Sequence, residues 1–369
     1  MVKLAIVGPQ GTQGSISPYL NIIEPDLAAD GWTTRRFGFH STPFTKTCEG
    51  WRPLPLSTIV AEVRKLAEEI AAWHPDVIAL HAGNLERELF LPPLMLDQNT
   101  PLIAHVHALR PTLVHEWLRT DSREALELLS SGPRPSGSVF YSGRALRQWE
   151  AHNTPTTSPA LLLKLPSTIP STCEPADAEW IEHLAQGRRV ASLIGFGTPW
   201  KDLSLLRTAV SSQEGANLLV LVCGPDWVFP QGAIRNVQGL DAPVSLENFR
   251  NGSSLAVVPT YFEASERLAV VQASAVGVFP YRHHDSFQGS GSIADYLANG
   301  RPCLASDVGN FSEYGPECII LGSAPADWSA AFEDLPQASS APRSADFAPR
   351  QHARSLSRFY QAVHSADAC

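Results

Sequence analysis

The sequence has no cluster of basic residues and no apolar run long enough to cross a membrane. Its 28 lysines and arginines are outnumbered by 37 aspartates and glutamates, which leaves a formal net charge of −9. A negative surface repels nucleic-acid phosphates, and a membrane-spanning helix needs about 20 apolar residues. We therefore expect small-molecule substrates, no nucleic-acid partner and no membrane span.

Paired cysteines are also missing, because the six cysteines are scattered and form no C-x-x-C motif. Cys223 and Cys303 lie in apolar runs, which predicts buried thiols in a reducing cytoplasm and no structural zinc site. The apolar start MVKLAIVGPQG is too short for a signal peptide and favours the same cytoplasmic location. No D-x-D motif and no G-x-S-x-G motif occurs, so neither a metal site nor a hydrolase is indicated.

What the chain does contain is a regular alternation of short apolar runs with segments of helical period. This pattern is typical of parallel sheets covered by helices, and 369 residues exceed what one core usually supports. We expect an α/β protein with two Rossmann-like domains facing each other across a cleft. The stretch NTPTTSPALLLKLPSTIPSTCEPADA is rich in Pro, Ser and Thr and predicts the connection between them. The predicted domains are residues 1–170 and 171–345, followed by a terminal helix within 346–369 that packs back toward the first domain.

The first glycine-rich segment, VGPQGTQGSISPYL, follows the first predicted strand and precedes a helix. Glycines in such a loop let backbone N–H groups approach an anion, which makes Gly11 and Gly14 candidates for donor binding. Their G-x-x-G-x-x-G spacing is neither the dinucleotide motif nor a P-loop. A plain tight turn explains the segment about as well.

Two further segments carry the chemistry of a phosphate site in the second half of the chain. GFGTPWKD places Gly197 and Lys201 between a strand and a helix, although a solvated surface lysine is the simpler alternative. In DSFQGSGSIADYLANG, small residues open a helix, and Asp295 lies one turn further on, where it can accept hydrogen bonds from a ribose diol. The predicted donor-binding residues of this turn are Gly289, Ser290, Gly291 and Ser292.

Histidines end two predicted strands of the first half. His105 and His107 alternate along LIAHVHALRP and therefore point to the same face, but the sequence offers no obvious third metal ligand. A polar contact to a ligand is the favoured interpretation. His81 occupies a similar strand end and, with His40 and Trp51, is a candidate for acceptor binding.

The second half resembles the donor-binding segment of retaining glycosyltransferases of the GT-B fold, the large family-four-like group. The resemblance rests on IGFGTPWKD, on LLVLVCGP and above all on GRPCLASDVGNFSEY. It implies that Lys201 holds the diphosphate and that His107 contacts the donor sugar. Phe287 and Phe196 depart from the group, since they occupy positions where a sugar-binding glutamate and an arginine are usual. Arg282 is the predicted replacement for that arginine.

The resemblance implies a retaining, metal-independent enzyme that moves a sugar from a UDP- or GDP-sugar to a small soluble acceptor. The donor is then a substrate, and no cofactor is expected. The composition suggests bacterial natural-product biosynthesis. The alternatives are an epimerase or phosphorylase of the same fold, or an inactive nucleotide-sugar-binding partner protein. A nicotinamide-dependent oxidoreductase is more distant, because both glycine loops have the wrong spacing.

Overall fold

The structure is a computed structural model of the chain, and it divides into two compact domains. The residues it describes are 2–11, 16–40, 44–47, 50–82, 87–95, 100–109, 134–152, 158–198, 200–212, 217–229, 231–283, 287–335 and 345–367. No helix within these ranges has the length and apolar character needed to cross a membrane.

The first domain is built on a parallel six-stranded sheet in the order β2-β1-β5-β6-β8-β9. Its strands are β1 (Val2–Val7), β2 (Trp32–Phe37), β5 (Val77–Ala82), β6 (Leu102–Val106), β8 (Gly137–Phe140) and β9 (Ala160–Leu162). A two-stranded hairpin adds β3 (Phe44–Thr47) and β4 (Gly50–Pro53). Parallel strands must be joined by crossovers, and the predicted βα rhythm is confirmed.

The helices of the first domain are α1 (Ile16–Ala29), α2 (Leu56–Trp73) and α3 (Gly143–His152). α2 forms as its period predicts, because Ile59, Val63, Leu66 and Ile70 all fall on one buried face. The helix α1 continues through Pro25 to Ala29, although a proline inside a helix removes one backbone hydrogen bond.

The second domain carries an eight-stranded sheet in the order β12-β13-β14-β11-β10-β15-β17-β18, parallel except at the β12 and β13 edge. Its strands are β10 (Arg189–Ile194), β11 (Leu218–Cys223), β12 (Ala233–Arg235), β13 (Val244–Asn248), β14 (Ser254–Val258), β15 (Val276–Phe279), β17 (Cys303–Ser306) and β18 (Cys318–Leu321). The helices are α4 (Glu179–Ala185), α5 (Leu203–Ser212), α6 (Ala264–Ala273), α7 (Gly291–Ala298) and α8 (Pro325–Glu333).

The central strand β11 shows why its sequence is apolar throughout. Alternate residues enter two separate cores on opposite faces of the sheet: Leu219, Leu221 and Cys223 in one, and Leu218, Val220 and Val222 in the other. A strand covered on both faces has no polar side. The thiols of Cys223 and Cys303 are free and buried, as predicted from their apolar runs.

The domain limits differ from the predicted ones. The first domain comprises residues 1–164, 285–289 and 349–369, and the second comprises residues 165–284 and 290–348. The first includes the terminal helix α9 (Pro349–Asp367), where Ser357 Oγ accepts a hydrogen bond from Trp32 Nε1 at 3.0 Å. It also includes the short strand β16 (Phe287–Gln288), whose backbone pairs antiparallel with β7 (Ala108–Leu109). The first connection between the domains lies at residue 164, within the Pro-, Ser- and Thr-rich stretch that predicts it.

Candidate donor-binding site

The loop after β10 and the start of α7 meet at one point of the second domain. A Cβ atom added to Gly195 would lie 2.6 Å from Lys201 Nζ and 3.6 Å from Ser292 Oγ. Gly195 has a φ of 141°, so the chain turns here in a conformation that favours glycine. Lys201 and Ser292, which are far apart in the sequence, therefore face the same space, as the predicted phosphate site requires.

Lys201 is held in a partly buried, aromatic environment. Its Nζ lies 5.7 Å from the ring centre of Trp227 and 5.8 Å from that of Tyr281, both within cation–π range. Removal from water lowers the pKa of Lys201 to about 7. No carboxylate in the described part of the chain pairs with it, so its charge is available to an anionic ligand.

The amino end of α7 is held by hydrogen bonds that the sequence does not predict. Ser290 caps the helix by accepting a hydrogen bond on its hydroxyl from Ile293 N at 3.2 Å. The Tyr314 hydroxyl accepts from Ser290 N–H and donates to Ser290 O at 3.0 Å. These contacts occupy Ser290 and leave the first amides of the helix, those of Gly291 and Ser292, without an acceptor among the described residues.

The space beside Gly291 is open, because a Cβ added there would meet no atom within 4 Å. Free N–H groups at a helix start carry a partial positive charge and favour anions. Together with Lys201 and the hydroxyl of Ser292, they form a site for an oxyanion.

Gly197 has a structural task in this loop. Its amide donates to Pro225 O at 2.8 Å, and a Cβ would lie 2.5 Å from Asp226 O. The glycine thus lets two loops approach each other closely, and its N–H is not available to a phosphate. The predicted part of Gly197 in donor binding stays a prediction.

Asp295 does not offer its carboxylate to a ribose in this structure. It is buried, and Oδ1 accepts from Ser167 Oγ at 2.9 Å and from Thr168 N at 2.7 Å. Oδ2 accepts from Thr168 Oγ1 at 3.3 Å and lies 3.5 Å from Arg267 Nη1. The carboxylate holds the start of the domain to α7, and the ribose contact stays a prediction.

Arg282 is likewise engaged elsewhere. Its Nε lies 3.0 Å from Asp202 Oδ2, and its Nη2 donates to Asp202 Oδ1 at 3.1 Å. This ion pair raises the pKa of Arg282 and lowers that of Asp202, which also caps α5 through Leu205 N. The predicted use of Arg282 as a second phosphate cation is therefore not supported by its contacts.

In the first domain, three histidines at the carboxyl ends of β5 and β6 come together. His81 Nδ1 lies 3.1 Å from His107 Nε2, and the His81 and His105 rings stack with centres 3.7 Å apart. Desolvation lowers the pKa of all three, for His107 to about 3, so each is neutral at pH 7. His81 therefore orients His107, a contact that the sequence does not indicate.

The cluster also supplies the third histidine that the sequence leaves open for a metal. Its hydrogen bonds point to a different use. His105 Nδ1 bonds the Tyr141 hydroxyl and His105 Nε2 bonds the Tyr360 hydroxyl, both at 2.7 Å. Both nitrogens of His105 are therefore engaged, whereas His81 Nε2 has no hydrogen-bond partner among the described residues, and the absence of a metal here stays a prediction.

The remaining predicted residues are spread over the two domains. Gly11 follows β1, His40 is exposed after β2, and Gly289 immediately precedes the cap of α7. Trp51 lies in β4, where only the backbone is described. Gly14 lies outside the described residues. None of these placements tests the binding roles, which stay predictions.

The chain has the GT-B fold of sugar-nucleotide-dependent glycosyltransferases, as the resemblance implied. A UDP-forming α,α-trehalose-phosphate synthase from Burkholderia xenovorans is similar with a TM-score of 0.65, 12% identity and full coverage of both chains. The sucrose-phosphate synthase of Thermosynechococcus elongatus has a TM-score of 0.61 and 13% identity, covering 99% of this chain and 97% of its own. Anabaena HepE in complex with UDP and glucose has a TM-score of 0.57 and 14% identity, with coverage of 100% and 98%. No protein-family model and no curated protein sequence matches the chain.

Proposed function

We propose that this protein is a glycosyltransferase that binds a UDP-sugar through the site of Lys201 and α7. The observation that carries the proposal is that Lys201 Nζ and Ser292 Oγ lie near the same point, next to Gly195. The amino end of α7 beside them has open space at Gly291. A lysine that has no carboxylate partner within the described residues, next to free amides, fits a diphosphate better than any neutral ligand. The similar structures include one in complex with UDP-glucose, which favours UDP over GDP.

The chemistry follows from where negative charge develops. As the bond between the sugar C1 and the phosphate oxygen breaks, charge grows on the departing diphosphate. In this proposal Lys201 and the amides of Gly291 and Ser292 stabilise that charge, and preorganised donors do so without the cost of reorganisation. Lys201 supplies the positive charge for this step, so the proposed transfer is independent of metal.

The proposed stereochemical course is retention. The acceptor oxygen forms its bond to C1 on the face that the phosphate leaves, and the departing phosphate takes the acceptor proton. His107 is the proposed contact to a sugar hydroxyl. Because its Nε2 is bonded to His81, Nδ1 is the nitrogen available for that contact.

The proposed acceptor is a small soluble molecule bound by the first domain, with His40, His81 and Trp51 as candidate contacts. Of these three, His81 is fully buried and is proposed to act through His107, whose Nε2 lies 3.1 Å from His81 Nδ1. The proposed biological role is bacterial natural-product biosynthesis in the cytoplasm.

An inactive nucleotide-sugar-binding protein is the second candidate. It is favoured by Phe287, which stands where the resembled group has a sugar-binding glutamate, and by the engagement of the Asp295 carboxylate. Both observations concern the sugar and the ribose, and neither removes the diphosphate site.

A thermal-shift screen with UDP, UDP-glucose, GDP and NAD, followed by a donor-hydrolysis assay in EDTA, tests the proposal. Ligands that bind only the folded state raise the melting temperature. We expect UDP and one UDP-sugar to raise it and slow release of free sugar to follow. UDP binding without sugar release supports the inactive binder, and stabilisation by NAD alone contradicts both candidates.

A further inference from the structure

The second domain has a cleft of about 1030 Å³ at the amino ends of its central strands. Arg189 begins β10 at this edge, whereas Lys201 follows the other end of the same strand. The six residues of β10 span roughly 20 Å. The cleft is therefore separate from the proposed donor site.

Three arginines line the cleft, and each contacts the carboxyl end of a different helix. Arg188 Nε donates to Ala185 O at 2.8 Å in α4, and Arg301 Nη2 donates to Gln272 O at 2.7 Å in α6. Arg189 Nη2 donates to the carbonyl oxygens of Phe332 and Glu333, both at 3.3 Å, in α8. These contacts anchor the three guanidinium groups around one opening.

Much of the hydrogen-bonding capacity of two of these arginines is unused. Within the described ranges, Nε and Nη1 of Arg189 and of Arg301 have no protein acceptor, and no carboxylate pairs with any of the three arginines. Asp334 is the acidic residue among those lining the cleft, and it lies at the exposed rim. Partial burial lowers the pKa of Arg188 and Arg301, as expected for cations without an acidic neighbour. The cleft therefore holds a surplus of positive charge.

Most of the remaining lining is apolar and includes Ala273, Ala275 and Leu304, while Gln272 and Ser274 are its uncharged polar members. A planar guanidinium presents paired N–H groups that match the oxygens of a phosphate or a carboxylate. An apolar floor beside such donors suits a ligand with a hydrocarbon part.

We propose that this cleft binds a small organic anion, in which a phosphate or carboxylate contacts Arg189 and Arg301 and an apolar body lies on the alanines. The inference does not depend on the proposed transferase activity. It adds a second ligand site to the same domain.

Calorimetric titration of the full chain with hexyl phosphate tests the proposal, with hexanol as the neutral control. We expect hexyl phosphate to bind and hexanol not to bind. Arg189→Gln and Arg301→Gln are each expected to weaken binding about tenfold, the scale of one charge-assisted contact. Arg235→Gln removes the same charge from an exposed edge strand and should leave the affinity unchanged.

Three results overturn the proposal. The first is the absence of hexyl phosphate binding to a wild-type chain that melts cooperatively. The second is an unchanged affinity in both arginine variants, and the third is loss of binding in Lys201→Ala alone, which would place the ligand in the donor site. Using two variants keeps the test valid if one of them does not fold.

Discussion

The histidine cluster of the first domain and the Lys201 site of the second domain differ in how many of their hydrogen-bonding groups have protein partners. In the first domain, histidines and tyrosines bond one another, and burial keeps the imidazoles neutral. In the second domain, Lys201 and the first amides of α7 have no acidic partner among the described residues, and the space beside Gly291 is open. Hydrogen bonds between buried groups stabilise a fold, whereas unused donors beside open space are available to a ligand.

Acidification should have the largest effect, and it should act on the first domain. His352 lies in α9, where its Nε2 is 2.9 Å from the Tyr19 hydroxyl. His107 and His352 have pKa values near 3 in the fold against 6.5 when unfolded. Because the unfolded state binds protons first, stability is complete above pH 6.5 and falls as the pH is lowered toward 3. At pH 5, protonation linked to each of these two histidines should lower the free energy of unfolding by about 2 kcal/mol. His81 and His105 should lower it further.

Urea unfolding at pH 7 and pH 5, followed by tyrosine fluorescence, measures this loss. His40 is exposed after β2, so His40→Gln should leave the pH dependence unchanged and serves as the control. A first domain that is equally stable at both pH values would show that the cluster is not neutral and buried.

Removal of the Asp295 carboxylate should lower stability rather than donor affinity. Asp295→Ala leaves Ser167 and Thr168 N–H without their acceptor and Arg267 without its counter-charge. We expect a loss of about 3 kcal/mol in the free energy of unfolding, as for a broken buried pair. The exposed Asp307→Ala variant is the control, with little expected change.

Chemical denaturation gives the stability of these variants, and UDP titration of the folded protein gives their affinity. If Asp295→Ala retains full stability but loses affinity for UDP, the ribose contact predicted from the sequence is right. The structural role that we assign to this carboxylate is then wrong.

The affinity for UDP should fall with rising pH because of Lys201. Its pKa of about 7 in the free protein means that above pH 7 a proton must be taken up when the diphosphate binds. We expect the affinity to fall by about fivefold to sixfold, or roughly 1 kcal/mol, from pH 7 to pH 8. Calorimetry in two buffers of different ionisation enthalpy detects the proton uptake, which should vanish in Lys201→Gln. Uptake that persists in this variant would assign the proton to another group.

Loss of the Tyr314 hydroxyl should have the smallest of these effects. Tyr314→Phe removes the two contacts that hold the backbone of Ser290 before α7. We expect UDP binding to weaken by about 1 kcal/mol, or roughly fivefold, because the helix start is less well ordered. Tyr261→Phe, a partly exposed tyrosine of the same domain, is the matched control. Equal affinities in the two variants would remove Tyr314 from the organisation of the site.

The sequence predicts the repeating βα organisation and the partners Lys201 and Ser292, since local motifs carry both. It does not predict how Asp295 is used, because Ser167 and Thr168 lie more than a hundred residues earlier and have no recognisable motif. The Tyr314 contact and the His81–His107 pair are hidden for the same reason. Long-range partners of a polar side chain depend on packing, which residue type and spacing do not encode.

Titration of UDP into the wild type and Lys201→Ala, in EDTA at pH 7, tests the central claim most directly. Lys65→Ala removes an exposed lysine from α2 and controls for net charge. The account predicts wild-type affinity for Lys65→Ala and a loss of about 1.5–3 kcal/mol for Lys201→Ala, the scale of a hydrogen bond to a charged group. Equal UDP affinity in all three proteins would contradict the assignment of Lys201 and α7 as the donor site.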